Sequence, residues 1–246
     1  WPVRLLPWLV LVTLAVAFLV SLAVPAAAAA GKPSAEGSVW LLLRRTEVRA
    51  FFGACFLMSV AHGPLYTFYS IHLTGHGYSK TVTGALWSLG VVAEIVVFLV
   101  MPQLARRFSM TWLLAASFAG GVLRFVVIGW LVDSPLLIAL MQLLHGATFG
   151  LYHASAVSFI NRWFGANLRA RGQALYASLT YGAGGILGSF GSGLVWEWSG
   201  AELTFTLASA CCLGGWLLVA WQMRENHRDV VRATDPSDEP RYSARR

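Results

Sequence analysis

The 246-residue chain is 57% hydrophobic and only 12% charged, with a formal charge of +7 and a mean hydropathy of +0.63. That charged fraction is half the roughly 25% usual for soluble domains, so no water-soluble fold can hide this much apolar side chain, and lipid is the expected solvent. Nucleic acid does not explain the positive charge, because Lys and Arg fall in short clusters between apolar runs and form no basic stripe interleaved with aromatics.

A helix rises about 1.5 Å per residue, so roughly 20 apolar residues cross about 30 Å of hydrocarbon. Seven stretches reach that length: residues 5–24, 50–73, 82–104, 110–132, 136–160, 173–195 and 203–223. An all-α membrane protein of seven transmembrane helices is therefore expected. The first stretch also has signal-peptide traits: Arg4, an apolar core and an Ala-rich end after Pro25. Cleavage there would export the basic Arg44, Arg45 and Arg49, so a retained span is expected instead. The chain opens on Trp1 rather than Met, and residues 1–24 read as the last helix of a truncated N-terminal bundle. Residues 25–49 read as a cytoplasmic linker, flexible in composition up to Ser38. Six closely spaced spans follow over residues 50–223. Residues 224–246 mix Asp, Glu and Arg and read as a disordered cytoplasmic tail.

Short connections such as Asp133-Ser134-Pro135 and Ser199-Gly200 make successive spans antiparallel neighbours. Fifteen of the eighteen Lys and Arg then fall on one side, which places the linker and the C-terminus in the cytoplasm of a cytoplasmic (inner) membrane protein. Cys55, Cys211 and Cys212 lie inside apolar runs without metal-ligand spacing and read as small core residues.

An ionisable group within a span is costly and is a functional hypothesis by default. Glu94 is the one acidic residue in mid-span, and Arg124 the one basic residue there besides histidines. His62 lies in the second span, and His145 and His153 in the fifth. Counted from the cytoplasmic end, Glu94, His62, Arg124 and His145 are about 10, 12, 14 and 15 residues deep, a spread of roughly 8 Å. Four groups on four helices thus share one layer, where Glu94 and Arg124 can offset each other and the imidazoles titrate near neutrality. Glu94, Arg124 and His145 are the candidates for proton coupling.

Helical spacing sets His62, Tyr66 and Tyr69 on one stripe, and Gln142, His145, Phe149 and Tyr152 on another. With Arg124 these residues are the candidate substrate lining. Gly63-Pro64 marks a weak point in the second span. Gly184, Gly188 and Ser192, small residues four apart, are the expected helix-packing surface of the sixth.

The six spans from Ala50 resemble the C-terminal half of a major facilitator superfamily transporter. The segment Met101-Pro102-Gln103-Leu104-Ala105-Arg106-Arg107-Phe108 is similar to the family's cytoplasmic loop motif, with Pro102, Arg106 and Arg107 matching it. The motif's acidic residue and leading Gly are absent. Glu94, Arg124 and His145 correspond by helix to the Glu, Arg and His of the lactose-permease type of proton symporter. Ala61-His62-Gly63-Pro64, Tyr66-Thr67-Phe68-Tyr69-Ser70 and Arg171-Gly172-Gln173-Ala174-Leu175-Tyr176 look like its phenylpropionate-permease-like branch. That type has a second carboxylate one turn past the His; this chain does not, leaving Glu94 and His145 to carry the proton. The resemblance implies a six-helix bundle of two inverted three-helix repeats.

Together these features predict no enzyme. They predict a secondary active, proton-coupled symporter for a small organic solute such as an aromatic acid or a sugar, with no cofactor or metal. The expected partners are solute, protons, lipid and the missing N-terminal bundle. The rival is a seven-helix membrane receptor, against which stand the lack of a Lys in the last span and of a Cys pair in the outer loops. A metal enzyme built on His62, His145, His153 and Glu94 lacks a His-Glu-x-x-His pair.

Overall fold

The computed structural model describes residues 5–23 and 39–233. The chain divides into two units, Trp1–Gly37 and Ser38–Arg246. The first contributes α1 (Leu6–Ala23), an 18-residue helix. Its described side chains are exposed and nearly all apolar, as suits a helix surrounded by lipid or by other helices.

The described residues of the second unit form only helices and their connections. They are α2 (Val39–Arg44), α3 (Thr46–Gly75), α4 (Lys80–Arg107), α5 (Met110–Trp130) and α6 (Pro135–His145). A first π segment (Gly146–Leu151) leads into α7 (Tyr152–Ala177), and a second (Ser178–Gly184) into α8 (Gly185–Ala233). Local chemistry sets the starts. The Ser79 and Ser109 hydroxyls accept the backbone N–H of Val82 and Trp112, each at 3.2 Å, which satisfies donors that a first helical turn leaves open. Pro135 sits in the first turn of α6, where its missing N–H costs nothing.

The apolar run Pro135–Trp221 is 87 residues long, far more than one crossing needs at about 1.5 Å per residue. Two glycines break it: Gly165 (φ 56°, ψ −174°) and Gly200 (φ 77°, ψ −169°). A positive φ is disfavoured for residues carrying a Cβ, so the chain turns at these points. Helical segments result over residues 135–164, 166–199 and 201–233.

The distribution of side chains inverts that of a soluble protein. On α4, Val91, Val92, Ile95, Val96 and Leu99 are exposed, while Arg124, Gln142, Thr148, Ser117 and Ser155 are buried. Together with Thr46–Gly75, Lys80–Arg107 and Met110–Trp130, which are long and apolar enough to cross a bilayer, this is the pattern of a multi-pass membrane protein.

Helix α3 packs against α8 through its glycines. A Cβ on Gly63 would lie 2.1 Å from the Gly188 carbonyl carbon, and one on Gly188 would lie 2.4 Å from the Val60 carbonyl oxygen. At Gly184 a Cβ would meet Ser59 at 3.0 Å, and Ser192 is buried on the same face. Side-chain bonds add further ties. His72 Nε2–H donates to Ile128 O (2.9 Å), joining α3 to α5, and Tyr78 OH donates to Val132 O (2.7 Å).

Several boundaries differ from those read in the sequence. α3 starts at Thr46, and with α2 it occupies part of the expected linker. The expected turn at Pro102, Arg106 and Arg107 is instead the end of α4, leaving Phe108 and Ser109 as the connection to α5. Residues 166–172, in the gap between the fifth and sixth expected spans, are helical. α8 continues to Ala233 rather than stopping at Met223. The common reason is that hydropathy marks where lipid ends, whereas Ala, Leu and Arg keep a helix going beyond it. Residues 25–38 of the linker and 234–246 of the tail lie outside the described residues.

Candidate functional site

The site begins with a close approach of two helices. A Cβ on Gly146 would lie 2.6 Å from the Ala93 carbonyl oxygen, and one on Gly90 would lie 3.1 Å from Gln142 Oε1 and 3.2 Å from His145 Cδ2. Lacking those atoms, α4 closes on α6 and brings Glu94 Oε1 to 2.7 Å from His145 Nε2. His145 is buried, while the Glu94 side chain keeps 18% of its surface open. The pair thus joins an acid that can be reached to a base enclosed behind it.

Arg124 does not form the expected pair with Glu94. Its guanidinium is completely buried and points at neutral acceptors: Nε donates to Met141 O (2.9 Å), one terminal nitrogen to Gln142 Oε1 (3.3 Å), and the other to Thr148 Oγ1 (3.4 Å). It also lies 5.6 Å from the Phe125 ring centroid. The first π segment supplies Thr148, so the looser turn there helps hold the cation. Arg124 therefore sits behind Gln142, as a fixed positive charge rather than an open anchor.

The α3 stripe divides. His62 is buried and its Nδ1–H donates to Met58 O at 2.9 Å, which leaves Nε2 as the free nitrogen. Tyr66 is exposed and stacks on Trp87 (6.1 Å, 12°), and Tyr69 is buried edge-on to the same indole (5.3 Å). Trp87 Nε1–H donates to Ser70 Oγ at 3.0 Å. The His62 and His145 rings lie 6.0 Å apart.

The second stripe changes course because of the π segment, which widens the turn after His145. Phe149 stacks between His145 (5.7 Å) and His153 (6.2 Å), so the face runs His145, Phe149, His153. Tyr152 turns away from it, and its hydroxyl donates to Cys55 O at 3.3 Å. His153 Nδ1 lies within hydrogen-bond distance of both Tyr181 OH (3.0 Å) and Tyr176 OH (3.3 Å). Thr148, Trp87 and Tyr181 were not picked out in the sequence. A lone Thr, Trp or Tyr in an apolar run carries no spacing signal, and a π segment shifts the helical count without any motif.

Among the described residues no group of three or more His, Cys, Asp or Glu is arranged to hold a metal. A buried Arg–Gln–Thr cluster beside a Glu–His pair, inside a bundle with an apolar exterior, is a costly arrangement in a membrane protein and marks the candidate site. The chain belongs to the MFS_1 like family, which it matches over residues 1–207. The Escherichia coli (strain K12) "Probable 3-phenylpropionic acid transporter" is 33% identical over 184 residues, covering 75% of this chain and 48% of the relative. The "Nucleoside permease NupG" of the same organism is 25% identical over 160 residues, 64% of this chain and 36% of that protein. The chain thus spans about half or less of the length of these relatives.

Proposed function

We propose that the chain is the C-terminal half of a proton-coupled secondary active transporter of the cytoplasmic membrane. In this reading residues 50–223 form six spans in two inverted repeats, with the C-terminus cytoplasmic. A second bundle of the same polypeptide completes the cavity, and the two rock to expose the site to each side in turn. The observation that carries the proposal is the Glu94–His145 contact at 2.7 Å, an acid–base pair within the bilayer with one member open. Glu94 exchanges the proton with His145. Arg124, through Gln142 and Thr148, supplies the positive potential that keeps an anion in this layer favourable. His62, Tyr66, Tyr69, Gln142 and Phe149 offer hydrogen bonds and ring faces to the solute, with Tyr152 supporting them from behind.

The relatives' names favour an aromatic acid or a nucleoside as the solute class, and the Tyr66–Trp87 stack suits a flat ring. A receptor reading draws no support from relatives named for transport. The test uses proteoliposomes holding the full-length protein, with 3-phenylpropionate, uridine and a disaccharide as probes. An inward proton gradient is expected to drive one probe to an internal concentration above the external one, and collapse of the gradient with an ionophore to release it. Accumulation indifferent to the gradient would overturn the proton-coupled reading.

A further inference from the structure

Where the start of α3 meets the turn at Gly165, the bundle carries Arg44, Arg45, Arg49, Arg162, Arg169 and Arg171, all of them exposed. Ring packing joins the two groups of arginines. Phe51 meets Trp163 edge-on at 5.1 Å, and Phe52 meets Phe164 at 6.3 Å, so Arg49 and Arg162, each within two residues of these rings, stand at one corner. The positive φ of Gly165 folds the chain back on itself. Gly172 then lies against Phe164, where a Cβ would come within 2.6 Å of the ring, and Gln173 Nε2–H donates to Asn161 Oδ1 at 3.3 Å. Arg171 is thereby returned to the neighbourhood of Arg162.

Few carboxylates oppose this charge. Glu47 is the one acid in residues 39–49 and 155–180, and it is already paired with Arg45. The rest of the chain cannot neutralise the corner: residues 25–38 carry Lys32 against Glu36, and residues 222–246 carry five acids against six arginines. An apolar feature lies beside the charge. In α2, which packs on α7, Val39, Leu42 and Leu43 turn to the core. Helical spacing leaves Trp40 and Leu41 outward on the side of Arg44, 76% and 61% exposed. A soluble anion would satisfy the arginines and leave that indole and that leucine in water, whereas an amphiphile covers both.

We propose that this corner binds an anionic phospholipid, with the headgroup phosphate on Arg44, Arg49, Arg162 and Arg171 and the glycerol and upper acyl chain against Trp40 and Leu41. A guanidinium suits the task because its planar fork grips phosphate through paired hydrogen bonds. Basic clusters of this size beside a membrane helix draw anionic lipid, and Trp is at home where headgroups meet hydrocarbon. In the proposed orientation the lipid belongs to the cytoplasmic leaflet. The binding requires neither proton coupling nor a particular solute, so it stands or falls apart from the transport reading. A bound headgroup ties the start of α3 to both sides of the Gly165 turn, and the folded bundle gains stability from it.

Thermal unfolding of the full-length protein in detergent, titrated with phosphatidylglycerol, phosphatidylcholine or glycerol 3-phosphate, tests this. Phosphatidylglycerol should raise the melting temperature saturably, the other two should not, and about 1 M salt should weaken the effect by screening. Arg49→Gln with Arg162→Gln should raise the phosphatidylglycerol concentration at half-effect by roughly tenfold or more, since each arginine at a charged membrane surface is worth about fivefold. Arg106→Gln with Arg107→Gln removes the same charge at the end of α4 and should change that concentration by no more than about twofold. If the first pair of substitutions prevents folding, the wild-type titrations decide alone. Equal shifts from phosphatidylglycerol and phosphatidylcholine would overturn the proposal, and so would an equal shift from glycerol 3-phosphate, which would assign the corner to a soluble anion. Equal weakening by the two pairs would overturn it in favour of charge spread over the whole end of the bundle. No shift from phosphatidylglycerol would overturn it too, giving the corner to another part of the polypeptide.

Discussion

Gly63→Ala is expected to be among the most damaging single-methyl changes in the chain. The added Cβ would lie 2.1 Å from the Gly188 carbonyl carbon and 2.5 Å from the Ser189 nitrogen. Both are backbone atoms of a helix, so no side chain can swing aside, and α3 and α8 must separate along their whole interface. Overpacking of this kind costs about 1–3 kcal/mol or more, and tight glycine contacts are a main source of helix association in lipid, where apolar burial gives little. Gly191→Ala on α8 is the control, because nothing lies within 4 Å of its Cβ position. In a thermal-unfolding series in detergent, Gly63→Ala should melt several degrees below wild type and Gly191→Ala should match it. Equal melting of the two variants would show that α3 and α8 have room for a methyl group between them at Gly63.

Arg124→Met is expected to separate stability from activity. The guanidinium is fully buried and its acceptors are neutral, so its charge is a desolvation cost with no carboxylate directly against it. Arg124→Met relieves that desolvation but leaves the buried Met141 O and Gln142 Oε1 without their donor, at about 1–3 kcal/mol each, so the two effects offset and the melting temperature should stay within a few degrees of wild type. Uptake should nevertheless fall. The hydrogen bonds that orient Gln142 and Thr148 are charge-assisted, worth about 1.5–3 kcal/mol each, and losing one corresponds to roughly 10–100-fold in affinity or rate. Arg124→Lys should remain impaired, because one ammonium cannot reproduce the planar fork that reaches three acceptors on two elements. Full transport by Arg124→Met would reduce the residue to a packing role.

How far the sequence disclosed this arrangement depended on the kind of signal. Apolar runs located the membrane helices because length and hydropathy are set by the bilayer. The shared layer of Glu94, His62, Arg124 and His145 followed from counting residues along those runs. Which partner each charge would choose did not follow. Glu94 meets His145 rather than Arg124 because glycines at 90 and 146 let α4 and α6 close, a detail of backbone approach that no periodicity reveals. Tyr152 left its expected stripe, and His153 joined it, because a π segment inserts extra residues into the turn between them. The Arg106–Arg107 pair was legible as a charged boundary but not as the tail of a helix, since charge marks the edge of lipid and helix formation continues past it.

Proton movement by Glu94→Gln tests whether that carboxyl couples solute to protons. In lightly buffered proteoliposomes, adding the transported solute outside wild-type full-length protein should alkalinise the medium as protons enter with it. Glu94→Gln keeps the size of the side chain but cannot exchange the proton, so it should abolish both that alkalinisation and accumulation against a gradient. Solute-driven proton entry and uphill accumulation undiminished in Glu94→Gln would remove Glu94 from the coupling of solute to protons.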